Sequence, residues 1–233
     1  MASTATLCID RRFHGPPDSG NGGYVAGLLA AQIAAPSCRV VLKLPPPLGQ
    51  PLRIARDAAS ASLLIGDRVV AIAAAHDFAL DVPPAPALDE ARQAERGYAG
   101  FQRHDYPGCF VCGPGRAAGD GLRIFAGPLG AGRVATVWRP DDSLSGDAGE
   151  VAPEFVWAAL DCPGYFAVAP VVGRALLGTL EAQILRPVTI GAPIIVSGWS
   201  IASEGRKHRV GTALHDAEGG LLAFALGTWI SLR

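Results

Sequence analysis

An internal repeat is the feature that most constrains the fold of this chain. Gly22–Ala30 (GGYVAGLLA) aligns without gaps on Pro153–Asp161 (PEFVWAALD), so that Ala30 corresponds to Asp161. Two later pairs of segments match in the same order: Leu48–Leu52 with Ile190–Ile194, and Val69–Ala73 with Leu221–Ala225. Repeats that keep their order predict a duplicated fold, here with longer loops in the second copy.

The two copies of this segment differ in complementary ways. The first copy begins with Gly22 and Gly23, whose backbone amides are open, but it has Ala30 where the second copy has the carboxylate of Asp161. The second copy begins with Pro153, which has no N–H to donate. Because each copy lacks what the other has, the repeat predicts one composite active site between the two halves.

Composition limits the class of protein. The chain has 233 residues, of which 49% are hydrophobic, which is enough for one large domain or two small fused domains. The net charge of −1 predicts no overall field that attracts nucleic acid or an anionic membrane. The first dozen residues lack the apolar core of a signal peptide, and Phe155–Val172 is interrupted by charge, proline and glycine. We therefore expect a soluble, cytoplasmic protein with no nucleic-acid partner and no membrane partner.

Five cysteines in a chain without an export signal are expected to be reduced thiols. Cys109 and Cys112 form a Cys-x-x-Cys pair, for which only His104 and Cys162 are candidate partners in a zinc site. A redox pair would be expected at a helix N-terminus, whereas this one runs into Gly113–Gly115. The sequence therefore favours a structural loop over metal or redox chemistry, and predicts no metal site.

A proline-rich stretch divides the chain into its two predicted repeats. We expect an N-terminal repeat over residues 1–82, a linker over 83–98 with a short helix at 88–96, and a C-terminal repeat over 99–233. Asn21 is a candidate N-cap for a helix over 22–33, and a second helix is expected over 153–160, ended by Cys162-Pro163-Gly164.

Strand-like runs follow each predicted helix. They are 39–44, 52–58, 60–65 and 69–78 in the first half, and 121–125, 133–137, 178–185, 193–202, 208–215 and 221–232 in the second. Both predicted helices are apolar nearly all round, which is typical of a buried helix. The predicted fold class is α+β, with two antiparallel sheets that each wrap around a central apolar helix.

This pattern resembles the hotdog fold, and the tandem pair resembles the double-hotdog acyl-CoA thioesterases of type II. Residues 22–31 are similar to the helix opening of that family's first repeat, and residues 155–161 to its second-repeat helix, which ends on the catalytic aspartate. The run CFVCGP at 109–114, followed by GLRIF at 121–125, is similar to a segment of many hotdog thioesterase-like proteins. The resemblance implies hydrolysis of an acyl-CoA without a metal or redox cofactor, coenzyme A being part of the substrate.

The chain departs from the family at two of three catalytic positions. The family pairs its aspartate with a threonine on the strand before an Arg-Pro and with a glutamine on the last strand. Here Leu177 falls at the threonine position, with Thr179 two residues on and expected on the same side, and Thr228 falls at the glutamine position. Only the aspartate, Asp161, is retained.

Thioester hydrolysis needs donors for the developing oxyanion and a base or nucleophile opposite them. We assign the amides of Gly23 and Tyr24 to the oxyanion, and Asp161 to activating water or attacking the carbonyl, with Thr179 as a further catalytic candidate. The expected substrate-binding residues are Asn21, Gly22, Gln183, Thr228, Arg206, Lys207 and Arg209, the last three for coenzyme A phosphates. Each of these features also has a purely structural interpretation. Asp161 is compatible with a solvated helix end, Thr179 and Gln183 with a solvent-facing strand, and the basic run with a solvated turn.

Two other functions remain open at this level. One is a non-catalytic acyl-CoA-binding or regulatory hotdog protein; the other is a hotdog hydratase or dehydratase, although the Asp-x-Asn-Pro-x-His signature of those enzymes is absent. No Gly-x-Ser-x-Gly occurs, which argues against a serine hydrolase. Because hotdog sheets commonly pair edge to edge, a homodimer of the fused unit is expected.

Overall fold

The computed structural model describes residues 5–146 and 149–232. The parts of the two predicted repeats at residues 1–4, 147–148 and 233 lie outside the described residues. The first half contains β1 (Ala5–Cys8), α1 (Gly22–Ala30), β2 (Ser37–Leu42), β3 (Pro51–Arg56), β4 (Ser60–Ile65) and β5 (Arg68–Ala75). The second contains α2 (Leu88–Glu95), β6 (Gly127–Gly130), β7 (Arg133–Trp138), α3 (Pro153–Ala159), α4 (Cys162–Val172), β8 (Ala175–Ile184), β9 (Ile194–Glu204), β10 (Lys207–His215) and β11 (Leu221–Ser231).

The strands form one antiparallel sheet in the order β1-β3-β4-β5-β2-β8-β11-β10-β9-β7-β6. The five strands of the first half and the six of the second meet where β2 pairs with β8, with Val40 opposite Leu180. The two predicted sheets are therefore continuous, each half curving around its own helix. Buried and exposed side chains alternate along the strands, so that one face of the sheet forms the core. On β3, Leu52 and Ile54 are buried, whereas Arg53 between them is exposed.

The two central helices, α1 and α3, pack directly against each other. A Cβ atom on Gly27 would lie 2.6 Å from the Cα of Glu154, and one on Gly23 would lie 2.7 Å from the carbonyl oxygen of Trp157. Glycine at these two positions of α1 therefore lets the backbones of α1 and α3 approach closely. Tyr24 stacks on Phe155 with ring centroids 5.6 Å apart, so residues at the same position of the repeat face each other.

A helix that the sequence does not predict follows the second predicted helix. The expected end of the predicted helix near residue 160 is confirmed, since α3 ends at Ala159, but after a break at Leu160 and Asp161 a further helix, α4, runs from Cys162 to Val172. Pro163 lies in the first turn of α4, where a missing N–H costs no hydrogen bond. Pro153–Val172 is long and apolar enough to span a membrane by length and composition, but 67% of its most apolar window is buried in the fold.

Three further details differ from the predicted elements. Residues 121–125 are not a strand: the amides of Leu122 and Ile124 donate to the carbonyls of Phe110 and Val111, so this segment lines the Cys-x-x-Cys loop. The short edge strands β1 and β6 were not predicted, because neither has an apolar run of its own. The helix expected at 88–96 is confirmed as α2.

Candidate active site

Asp161 lies at the break between α3 and α4, deep in the molecule. Its side chain is 2% exposed, and its Oδ2 atom accepts hydrogen bonds from the Gly23 amide and from Nδ2 of Asn21, both at 2.9 Å. Burial raises the pKa of Asp161 to about 7, although these two hydrogen bonds act to lower it. A carboxylate of the second half is thus held by the helix opening of the first half, as the repeat predicts.

Asn21 connects the start of α1 to this carboxylate. Its Oδ1 accepts from the Tyr24 amide at 2.9 Å, which confirms Asn21 as the N-cap, while its Nδ2 donates to Asp161. The amides of Gly23 and Tyr24 consequently both have partners within the protein. This arrangement contradicts their assignment as free oxyanion donors, because a carboxylate and a capping side chain already occupy them.

One open amide remains at this helix opening. The N–H of Gly22 makes no hydrogen bond among the described residues, and Gly22 borders a large cavity. The cavity has a volume of about 700 Å³ and is also lined by Asn21 and Asp161. Its walls are mostly apolar, including Leu42, Leu177 and other side chains of both halves. Its size lies in the range of small-molecule sites, which run from about 300 to 1,000 Å³.

Three buried polar atoms at the cavity have no hydrogen-bond partner among the described residues: Oδ1 of Asp161, Nε2 of His104 and Nε1 of Trp229. The Tyr106 amide donates to Nδ1 of His104, so the neutral ring carries its proton on Nε2. Burial lowers the pKa of His104, which favours this neutral form. The cavity thus offers one carboxylate acceptor and two ring N–H donors to a ligand.

Three thiols adjoin Asp161 on the cavity wall. Cys109 and Cys112 come from the loop before residues 121–125, and Cys162 is the first residue of α4. All three are buried, and Sγ of Cys109 lies 3.9 Å from Sγ of Cys162. Hydrogen bonds from the other two thiols hold the pKa of Cys109 well below that of an ordinary thiol.

Thr179, Gln183 and Thr228 do not line the cavity. An irregularity in pairing sets Leu177 opposite Trp229 but Thr179 opposite Thr228, which leaves Gly178 as an extra residue in β8. Leu177 therefore lies on the core face, whereas Thr179 lies on the opposite face, which contradicts the expectation that the two share a side. On that outer face Glu181 pairs with Arg39 and His76, so the polar side of β8 is the side away from the helices.

The basic run Arg206, Lys207 and Arg209 is exposed at the turn between β9 and β10 and does not line the cavity. It lies near the rim, because the carbonyl of Arg206 accepts from the Ser231 amide beside cavity residues Ile230 and Leu232. The cations that do line the cavity were not selected from the sequence. They are Lys43, Arg103 and Arg174, which are isolated in the sequence and give no local charge signal.

Structural comparison shows which solved structures share the fold of this chain. A proposed thioesterase from Novosphingobium aromaticivorans superposes with a TM-score of 0.65 and 13% identity, covering 99% of this chain and 96% of that one. A proposed thioesterase II from Thermobifida fusca gives 0.65 and 17%, covering 99% and 94%. The TesB protein of Mycobacterium avium subspecies paratuberculosis gives 0.62 and 13%, covering 99% and 93%.

No protein-family model matches the sequence, and no curated protein matches it. At these identities the superpositions establish the fold, which is the double-hotdog fold predicted from the repeat.

Proposed function

We propose that this protein is a thioesterase that hydrolyses an acyl-CoA, or a related acyl thioester, at the cavity between its two halves. The observation that carries the proposal is the position of Asp161. It is a buried carboxylate from the second half, fixed through Oδ2 by Asn21 and Gly23 of the first half, with Oδ1 left unpaired at a cavity of about 700 Å³.

In the proposed reaction Oδ1 of Asp161 accepts a proton from a water molecule as that water attacks the thioester carbonyl. The C–S bond then breaks, and the departing thiolate takes the proton back from Asp161. The two hydrogen bonds to Oδ2 fix the plane of the carboxyl group, so Oδ1 keeps one orientation toward the cavity. The carbonyl oxygen becomes negative as the water adds and needs N–H donors. The available donors are the Gly22 amide and the ring N–H groups of His104 and Trp229, rather than the Gly23 and Tyr24 amides.

The substrate assignment rests on the shape and charge of the cavity. Apolar side chains from both halves suit an acyl chain, and Lys43, Arg103 and Arg174 at the same cavity suit the phosphates of coenzyme A. The double-hotdog proteins described as proposed thioesterases share this overall fold.

One observation favours binding without turnover as a second candidate function. Leu177, an aliphatic residue, lines the cavity at the position where the resemblance calls for a threonine. A protein that binds an acyl thioester but lacks this hydroxyl would act as a sensor or carrier instead of a hydrolase.

The test compares wild type with Asp161→Asn and Glu154→Gln on acyl-CoAs of graded chain length. Asparagine at 161 keeps an oxygen that can accept from Asn21 and Gly23, so the fold is retained while the base is removed. Glu154 is a matched control, since it is an acid on α3 that does not line the cavity. Free coenzyme A is measured by chromatography, because the protein's own thiols would disturb a thiol reagent.

We expect wild type and Glu154→Gln to release coenzyme A alike and Asp161→Asn to be slower by about 100-fold or more. Equal rates for wild type and Asp161→Asn would refute the assignment of Asp161. If wild type binds acyl-CoA saturably but releases no coenzyme A, the protein is an acyl-CoA-binding protein and not a hydrolase.

A further inference from the structure

The three thiols beside Asp161 have the geometry of a ligand set. The sulfur atoms of Cys109, Cys112 and Cys162 all lie within 4.8 Å of one another. Thiolates at the Zn–S distance of 2.3 Å in a tetrahedral site are separated by about 3.8 Å. The distance of 3.9 Å between the sulfurs of Cys109 and Cys162 fits that separation and is far too long for a disulfide bond.

Two hydrogen bonds hold the loop that carries Cys109 and Cys112. The loop is rigid, because the Gly113 amide donates to the Cys109 carbonyl at 2.9 Å and Tyr98 donates its hydroxyl to the Cys112 carbonyl at 2.7 Å.

Gly113, directly after the Cys-x-x-Cys pair, is required by this loop. A Cβ atom there would lie 2.5 Å from the carbonyl oxygens of both Cys109 and Pro107. The tight turn brings Cys112 back beside Cys109, so that both thiols face Cys162 across the cavity wall. The third thiol comes from a separate element, the start of α4, which makes the set a tertiary arrangement instead of a local one.

The other buried cysteine of the chain shows the contrast. Cys38 on β2 is also buried, but it belongs to no thiol cluster among the described residues. Cys38 thus behaves as a small apolar side chain. Packing alone accounts for Cys38, whereas it gives no reason for three thiols to converge at the wall of a cavity.

We propose that Cys109, Cys112 and Cys162 bind one thiophilic divalent metal ion, of which Zn²⁺ is the physiological candidate, at the wall of the cavity. A set of thiolates selects zinc over the oxygen-preferring ions magnesium and calcium. Three protein ligands leave one position of a tetrahedral ion open. No His, Asp or Glu ligand atom among the described residues joins the three sulfurs within 4.8 Å, so that position is left to solvent or to a ligand from the cavity.

The proposal is independent of the proposed hydrolysis, because metal binding is measured directly. Tag-free protein is stripped with a chelator and titrated with Co²⁺, whose bond to thiolate produces a charge-transfer absorption band, and bound zinc is measured by mass spectrometry after dialysis. The variants are Cys109→Ser, Cys112→Ser and Cys162→Ser. Cys38→Ser is the matched control, since it removes a buried thiol outside the cluster.

We expect wild type and Cys38→Ser to bind one ion per chain with the charge-transfer band. Each cluster variant should lose affinity by more than about tenfold, because a ligand itself is removed. Circular dichroism establishes that each variant is folded. A wild-type protein that shows no band and retains no zinc would overturn the proposal without reference to any variant, as would equal binding by all four variants.

A second readout uses unaltered protein. With iodoacetamide under native conditions, zinc should protect the three cluster thiols of wild type while Cys8, which is exposed, reacts at an unchanged rate. Alkylation of Cys109, Cys112 and Cys162 at the same rate with and without zinc would contradict the site.

Discussion

The two helix openings of this duplicated fold have taken different roles. At the start of α1, Asn21 caps the helix, the Gly23 amide reaches a carboxylate, and the adjoining cavity has a volume of about 700 Å³. At the start of α3, Ala152 provides no side-chain cap, Pro153 has no N–H, and the adjoining cleft has a volume of about 390 Å³. The two helix openings occupy equivalent positions in the repeat. The opening of α1 carries polar groups that face a cavity, whereas the opening of α3 mainly contributes to packing.

Exchanging the charged residue between the repeats should have the largest effect. Asp161→Ala combined with Ala30→Asp moves the carboxylate to the end of α1, where Ala30 is buried and the facing opening begins with proline. We expect no measurable hydrolysis and a loss of several kcal/mol in unfolding free energy, because the new charge is buried without a partner. Denaturant unfolding and coenzyme A release check this; activity in the exchanged protein would mean that the two openings are functionally equivalent.

Gly23→Ala tests whether the first opening needs its glycine. The new methyl carbon would lie 2.6 Å from Cβ of Asp161, so α1 and α3 must separate. We expect a loss of about 1–3 kcal/mol in stability together with lower activity. Gly22→Ala is the control on the same helix: its methyl carbon would meet only flexible ends and the Cβ of leucine side chains, at 3.0 Å or more. Equal stability of the two variants would argue against close packing at Gly23.

Asn21→Ser separates the two roles of the cap. Serine can still accept from the Tyr24 amide, but it cannot donate to Asp161 as Asn21 does. We expect a stability loss of about 1 kcal/mol and a reduced kcat with little change in KM. Asn21→Ala, which also removes the cap, should cost about 1 kcal/mol more. Thermal unfolding and steady-state kinetics distinguish these outcomes, and an unchanged kcat in Asn21→Ser would show that the bond to Asp161 is only structural.

We expect the cationic side chains that line the cavity to bind only the coenzyme A portion of a substrate. Arg103→Gln should raise KM for an acyl-CoA several-fold without changing KM for the same acyl group on a short thiol without phosphates. Arg206→Gln, at the exposed turn outside the cavity, is the control. The interpretation fails if both substrates respond equally to Arg103→Gln.

The smallest effect is expected on the outer face of β8. Thr179→Val and Gln183→Ala should change hydrolysis by less than about twofold, since both residues are half-buried on the outer face and neither lines the cavity. A large loss of kcat in Thr179→Val would indicate that Thr179 takes part in catalysis and would contradict the register of β8.

The repeat made the partnership of Asp161 with Gly23 predictable, because both positions follow from one ungapped alignment. Which hydrogen bonds those groups form was not predictable, since a buried carboxylate and the cap Asn21 compete for the same helix amides that an oxyanion would use. The prediction that Thr179 shares a face with Leu177 was wrong for a different reason. One extra residue at Gly178 reverses the side of the sheet on which every later residue of β8 lies.

The thiol cluster shows a similar limit of sequence analysis. Cys109 and Cys112 are recognisable as a pair, and Cys162 is a candidate partner, but the sequence predicts no helix that starts at Cys162. The start of α4 places Cys162 beside the loop. The signal that could have predicted it is Pro163 in a first helical turn, a position typical of a helix start.

The pairing of β2 with β8 has a consequence for the order of events during synthesis. Residues 37–42 leave the ribosome well before residues 175–184 exist, so the nascent first half displays an unsatisfied strand edge next to a glycine-lined helix face. Until translation reaches β8, that edge is open to an identical edge on a neighbouring nascent chain. Pairing with β8 is what closes that edge in the complete fold.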